Sequence, residues 1–384
     1  MKAEVPSAKV TRIEVMAVRL PLDEPVSAPG LLIKHRDYLL VRIKCNDGTI
    51  GIGFTYIATF GGLSALAVTN DFIANRVIGK EASDPKAVSD DLLRMIRILG
   101  RGGPTMNVIS AIDIALWDRN ARAAGLPLYM LLGADETDSV PAYASGGYLR
   151  HREGNDVLQA ELQAYLDSGF ERIKIKTAYG DLEEDADRVT LARRTVGDDI
   201  ELMFDTYCRW DDVETAIPHV EKYLEVSPYW IEDPFDPNAL DLYEGLAATI
   251  DFCLAAGEFY YTSLPFMHLA ERGALNVIQA EAPRCGGITG WLEIAKLAHR
   301  YPKIELCPCW FHDIHIHLVA AHEKATMVEF FPDDRVFNFR RLIDSPIESK
   351  DGRLLMPTRP GLGYDFIDEN LERFKLAPPL VLEA

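Results

Sequence analysis

Apolar and polar side chains alternate along Phe170-Glu171-Arg172-Ile173-Lys174-Ile175-Lys176, the two-residue period of a strand whose two lysines point to one side. Six short apolar runs downstream each end on a polar residue: Asp205, Glu232, Glu258, Glu281, Cys309 and Glu329. From Lys176 onward these ends are spaced 29, 27, 26, 23, 28 and 20 residues apart, close to the ~30 residues of a strand plus a crossover helix. Helical periodicity fills the intervals over 156–168, 182–196, 212–226, 239–250, 264–272 and 288–300. Asp211, Asn238 and Ser263 are the expected N-caps, and Gly169 and Gly197 sit just past helix ends. The pattern predicts a βα array, and in a barrel of such units the strand ends meet at one mouth.

The chain before this array has another rhythm. Residues 9–20, 38–45 and 50–56 are β-rich, and Asn46-Asp47-Gly48 supplies a hairpin turn. Segment 21–36, with three prolines and Gly30, reads as a mobile loop, and 55–62 as a second. Helices are expected over 64–78, 85–99 and 105–124, with a short coda over 128–132. Strands followed by helices make an α+β unit. Beyond Ser345 the chain is irregular and proline-rich, too short for a domain, and is expected to pack back on the N-terminal unit.

With 384 residues the chain suits a barrel plus a smaller unit. A formal charge of −19 argues against nucleic acid or an anionic membrane as partner. An anionic substrate must then be drawn in by local cations. The six cysteines are scattered, and Cys307-Pro308-Cys309 lacks the spacing of a zinc site. No apolar run approaches a membrane span and no secretory h-region opens the chain, so a cytoplasmic enzyme is expected.

Asp205, Glu232 and Glu258 stand at successive strand ends. Three carboxylates crowded into a low-dielectric pocket repel one another strongly and become stable together around a multivalent cation. An all-oxygen set with room for water suits Mg²⁺. Lys174 and Lys176 both face the mouth, and a nearby metal and second ammonium would lower a lysine's pKa enough for it to accept a proton.

The chain resembles the mandelate racemase branch of the enolase superfamily over nearly its full length. The likeness rests on Ala111-Ile112-Asp113-Ile114-Ala115-Leu116-Trp117-Asp118, Lys174-Ile175-Lys176, Asp205, Glu232-Asp233-Pro234 and Gly257-Glu258. Cys285-Gly286-Gly287-Ile288-Thr289-Gly290-Trp291 and Pro360-Gly361-Leu362-Gly363 complete it. Residues 51–56 and 144–149 look most like the talarate/galactarate type of acid-sugar dehydratase. The resemblance implies a modified (β/α)7β TIM barrel over 136–345, an α+β capping domain over 1–135, and a tail over 346–384 that completes the cap. It also implies a homo-oligomer, and a Mg²⁺-dependent reaction on a small carboxylate substrate, with Asp205, Glu232 and Glu258 as ligands and an enediolate intermediate. A lysine base with Mg²⁺ is the superfamily's established pattern, so that role comes with the likeness and not from residue spacing. By the likeness Lys176 matches the base, Lys174 helps neutralise the carboxylate, and Glu329 hydrogen-bonds it from across the metal.

Two positions depart from the pattern. Where the branch carries an Asp–His dyad, this chain has Glu281 and Cys309. Three replacements are open: Cys309 exchanges the proton opposite Lys176, His312 swings in with Glu281 orienting it, or Lys176 works alone. Arg36 and Tyr56 from the cap, with Lys34 and His35 beside them, are substrate-binding candidates, as are Tyr148 and Arg150 after the first barrel strand. Dehydration of an acid sugar is the expected activity. A racemase, epimerase or cycloisomerase on the same scaffold, and a non-catalytic relative that has lost the dyad, are the alternatives.

Overall fold

The computed structural model describes residues 4–28, 31–148 and 155–384. Eight parallel strands close the barrel: Ser139–Gly146, Arg172–Lys176, Glu201–Asp205, Ile231–Glu232, Leu254–Ala256, Val277–Ile278, Glu305–Leu306 and Val328–Phe330. Neighbours in the chain pair with one another, the eighth strand pairs back with the first, and the seventh and eighth meet through the bridge Leu306–Ala325. A helix follows each of the first seven, from Asn155–Asp167 to His312–Ala321, so the architecture is (β/α)7β.

Side-chain alternation along the strands builds the site's floor. Tyr143, Met203, Trp230, Ala255, Val277, Cys307 and Met327 form one apolar cluster. Two residues beyond five of these stand Asp205, Glu232, Gln279, Cys309 and Glu329. The period of two lifts each of those side chains one layer above the apolar plug.

Strands Val10–Ala28, Leu31–Cys45 and Ile50–Tyr56 form an antiparallel cap sheet, joined at its edge by the tail strand Leu380–Glu383. Helix Gly103–Ala123 lies against it so closely that a Cβ on Gly51 or Gly53 would meet the carbonyl oxygens of Ala115 or Ala111 at 2.1 and 2.0 Å. The motif acids knit the parts together. Asp118 accepts from Ile52 N and Leu362 N, both at 2.7 Å, so one carboxylate ties cap strand to tail. Asp113 accepts from Thr289 N at 2.9 Å and joins the cap helix to a barrel helix. The tail serves both units, because Arg353–Leu355 pairs antiparallel with the first barrel strand.

The expected loop over 21–36 is a correction. Its described residues belong to two long paired strands, with a register shift between Pro21 and Val26. Pro25 falls inside that irregularity, where no ladder donor is needed, while Leu22, Val26 and Ile33 are buried. The cap assignments also move. Asp212 accepts from Thr215 N, Thr262 occupies the position before Ser263, and Ala239 replaces Asn238. Asp181 forms a capping box with Glu184 that the periodicity gave no reason to single out.

Candidate active site

Lys176, Asp205 and Glu232 end their strands, Glu258 lies two residues beyond one, and Lys174 and Glu329 stand inside theirs. Lys174 Nζ lies 2.7 and 2.9 Å from the two Glu232 oxygens and 2.9 Å from Glu329 Oε1. Lys176 donates to Asp205 Oδ2, and its ammonium sits 4.9 Å from the centre of the Tyr207 ring and 5.4 Å from that of Tyr148. Glu232 also accepts from Trp230 Nε1 at 3.0 Å and Gln279 Nε2 at 2.7 Å. Trp310 bridges two acids, donating its indole N–H to Glu258 Oε2 and its backbone N–H to Glu329 Oε2.

The backbone at the mouth is held in unusual conformations. Ala178, Tyr207, Cys208, Asp233 and Trp310 all have positive φ, from 45° to 66°, and each lies within three residues of Lys176, Asp205, Glu232 or Cys309. Such conformations cost free energy in residues other than glycine and persist where the surroundings enforce them.

Lys174, Lys176, Asp205, Glu232, Glu258 and Glu329 are each 4% exposed or less. Burial alone would lower the Lys176 ammonium, but the Asp205 carboxylate outweighs it and holds the group well above the ordinary lysine value. Lys174 is raised in the same way, by Glu232 and Glu329. The expected lowering of the lysine belongs to the metal-bound site; without the cation each ammonium pairs directly with a carboxylate and is raised. Burial, with the neighbouring Asp205 charge, pushes Glu232 up to about 8.

Among the described residues no three acidic, histidine or cysteine side chains converge at ligating spacing as they stand; the lysine ammoniums neutralise the carboxylates directly. The donor set nevertheless fits a divalent cation. Two ammoniums face four carboxylates, Glu258 Oε1 has no partner, and every available donor is oxygen.

The groups expected opposite Lys176 divide. His312 is turned away: its ring packs against Phe330 and Phe337 at 4.9 and 5.0 Å, and burial holds it well below the ordinary histidine value. Glu281 therefore does not orient it, and binds Arg284 Nε at 3.0 Å instead. Cys309 stays at the mouth, but its thiol lies 3.2 Å from the Gln279 carbonyl, and burial among Glu258, Glu281 and Glu329 pushes its pKa well up. The Lys174 charge, which would favour a thiolate, is outweighed. Glu281 keeps Oε1 unpartnered, and burial lifts its carboxyl to about 7.

Arg36, Tyr56 and Tyr148 are brought to the cap side of the mouth. Arg36 donates to Tyr56 Oη at 2.8 Å and lies 4.8 Å from the Trp310 ring centre, with Tyr56 stacked on the same indole. Lys34 is exposed and His35 half-buried. Arg150 lies outside the described residues. Sequence reasoning missed Trp310, Gln279 and Arg284. Gln279 was findable, since it precedes Glu281 by one strand period; nothing in the spacing marks the other two.

Two family descriptions match the chain: mandelate racemase / muconate lactonizing enzyme, N-terminal domain, over residues 10–133, and enolase C-terminal domain-like over 157–370. The chain belongs to the mandelate racemase/muconate lactonizing enzyme family of the enolase superfamily. L-talarate/galactarate dehydratase of Salmonella typhimurium is 32% identical over 367 residues, 94% of this chain and 90% of that protein. The crystal structure of L-talarate dehydratase from Polaromonas sp. JS666, complexed with Mg and L-glucarate, superposes with a TM-score of 0.87 at 31% identity, covering 98% of this chain and 99% of that one. A relative of different activity, 3,6-anhydro-alpha-L-galactonate cycloisomerase of Streptomyces coelicolor, is 29% identical over 95% of this chain and 99% of that protein. No helix among the described residues is long and apolar enough to cross a membrane.

Proposed function

We propose that this family member is a Mg²⁺-dependent hydro-lyase that dehydrates an acid sugar. The observation that carries the reading is the Lys174–Glu232 and Lys176–Asp205 pairing at the barrel mouth, where four carboxyl groups outnumber two ammoniums. Asp205, Glu232 and Glu258 would hold Mg²⁺, which would supply Lewis-acid charge to the substrate carboxylate. Lys176 would remove the α-proton. Lys174 and Glu329 position the carboxylate oxygens.

Of the three replacements for the missing dyad, none matches the environment of Glu281 itself. Its unpartnered Oε1 and raised pKa suit a carboxylic acid that protonates the departing hydroxyl, with Arg284 fixing the other oxygen. The second and sixth strands stand opposite in an eight-strand barrel, so this acid works from the face across from Lys176. The dehydratase relatives support the reaction class; the cycloisomerase relative keeps isomerisation as the second reading. We further propose a cytoplasmic location, as the sequence leads one to expect, and a homo-oligomer, as the family likeness does, the latter checked by light scattering.

The test is product analysis with Mg²⁺ and a panel of acid sugars. A 2-keto-3-deoxy acid, lighter by one water, is expected. A product of unchanged mass would replace dehydration by isomerisation, and no α-proton exchange with any member would overturn both.

A further inference from the structure

The parallel ladder between the first two barrel strands pairs Ala144 with Ile173, Ser145 with Lys174 and Gly146 with Ile175, and ends there. Beyond that end the second strand stays tied to the third, because Thr177 N donates to Asp205 O at 2.8 Å. The N–H and C=O of one trans peptide point in opposite directions. The carbonyl of Lys176 therefore turns toward the first strand, where no ladder donor meets it. A buried backbone carbonyl needs a donor from somewhere.

Arg188, on helix Leu182–Val196, supplies it. Nε donates to Lys176 O at 3.0 Å, and Nη2 donates at 2.6 Å to the carbonyl of Gly147, just past the first strand. A guanidinium presents its N–H groups in a rigid planar fork, so it fixes the separation of the two carbonyls where the ladder no longer does. Gly147 is fastened from its other side as well, its N–H donating to Glu161 Oε1 at 3.2 Å. Burial holds the Arg188 pKa below the ordinary arginine value, and Tyr179, Glu161 and Asp185 offset it only in part. The fork thus stands against its own desolvation, and what it spans is the reacting edge of the mouth. Lys176 is on one side, and beside Gly147 on the other is Tyr148, its ring centre 5.4 Å from the Lys176 ammonium.

We infer that Arg188 is a positioning residue for α-proton removal: its two-pronged contact fixes the backbone of Lys176 against that of Gly147 and so aims the lysine side chain. The inference rests on reading Lys176 as the base, and adds what holds that base in place. Arg188 acts through backbone carbonyls and needs no contact with substrate, cation or reacting atom. A base works only within hydrogen-bond reach of its proton, and a displacement of about 1 Å can cost about 10²-fold in rate. Among the described residues Arg188 donates to carbonyls and not to Asp205, Glu232 or Glu258, so cation binding lies outside its effect.

The test is α-proton exchange in D₂O, followed by NMR with Mg²⁺ and whichever of galactarate, glucarate, galactonate and gluconate the wild-type enzyme exchanges fastest. In Arg188→Ala, kcat for exchange should fall about 10²-fold while KM moves by less than about threefold, the pattern of a group that acts on the step and not on binding. The Mg²⁺-induced rise in Tm should persist, and guanidinium added at millimolar concentration should restore part of the lost rate. Arg188→Lys keeps the buried charge but lacks the fork. It should fold with a Tm near that of the wild type and still exchange about 10-fold more slowly. A merely structural Arg188 would lower Tm and the folded fraction, both read by circular dichroism, yet leave kcat per folded molecule unchanged and give guanidinium nothing to restore. That outcome, or wild-type kcat in folded Arg188→Lys, overturns the inference and leaves the dehydratase reading standing. If Arg188→Ala does not fold, the lysine variant decides alone. Exchange by the wild type into none of the four acids overturns both.

Discussion

The two halves of the barrel mouth solve the problem of buried charge in opposite ways. On the second to fifth strands, Lys174, Lys176, Asp205, Glu232 and Glu258 form a cluster that is overfull of negative charge and holds unpartnered oxygen. On the sixth and seventh, polar groups are paired locally: Cys309 to the Gln279 carbonyl, His315 accepting from Ala282 N at 3.0 Å, Glu281 to Arg284. Burial keeps His315 neutral, with its pKa lowered to about 3. The first half is arranged for an added cation and a moving proton. The second resembles a protein core with a few unsatisfied oxygens in it, Glu281 Oε1 and Gln279 Oε1 among them.

The largest expected effect lies in the first half. Lys176→Ala should reduce α-proton exchange by about 10²–10⁴-fold, the usual contribution of a positioned base, read by NMR in D₂O. Comparable exchange in the variant would move the base to the other half and dissolve the contrast. Next comes the cation. Mg²⁺ at about 100 times its Kd should stabilise the enzyme by about 2.7 kcal/mol, visible as a rise in Tm, and chelation should abolish turnover. In Glu258→Gln both responses should shrink sharply. A Mg²⁺-induced rise of the same size would remove Glu258 from the ligand set.

Glu281 tests whether the second half is inert. Burial raises its carboxyl to about 7, so the proton is present below that pH and leaves as pH rises through it. If Glu281 is the acid, kcat should fall on the alkaline side of about 7. Glu281→Gln should lower kcat about 10²-fold, within the range of general acids, and remove that limb of the profile. An unchanged profile would leave Lys176 as the sole acid–base group. The same shift has a cost for stability: a carboxyl raised on folding loses stability as pH climbs from its unfolded value, near 4, to about 7.

What could be read from the sequence follows the same division. Lys176, Asp205 and Glu232 were legible because strand period and βα spacing are local signals, and a costly cluster of like charge has few explanations. The two long cap strands were not, because their prolines mimic a loop, and the register shift between Pro21 and Val26 accommodates Pro25. His312 was misjudged since periodicity assigns a helix but not the face a single residue presents, here the one against Phe330. The role of Trp310, which holds two acids and carries Arg36, depends on a positive φ of 66° that no sequence pattern announces.

The smallest effect is expected at the residue that departs most from the family pattern. Cys309 stands where the branch carries histidine, and its position invites a catalytic role. Its thiol is fully buried, held by a carbonyl, and surrounded by acids that disfavour the thiolate. A thiol with so high a pKa is neither a competent base near neutrality nor a ready proton donor. Cys309→Ala should therefore cost about 1 kcal/mol of stability, from one weak hydrogen bond and a small void, and leave kcat within about threefold, well short of the 10²-fold loss of a general acid–base group. Thiol-directed alkylation should be slow in the native enzyme and rapid after unfolding. A drop of two orders of magnitude in kcat with an unchanged Tm would contradict this, make Cys309 the working partner of Lys176, and make the quiet half of the mouth the reactive one.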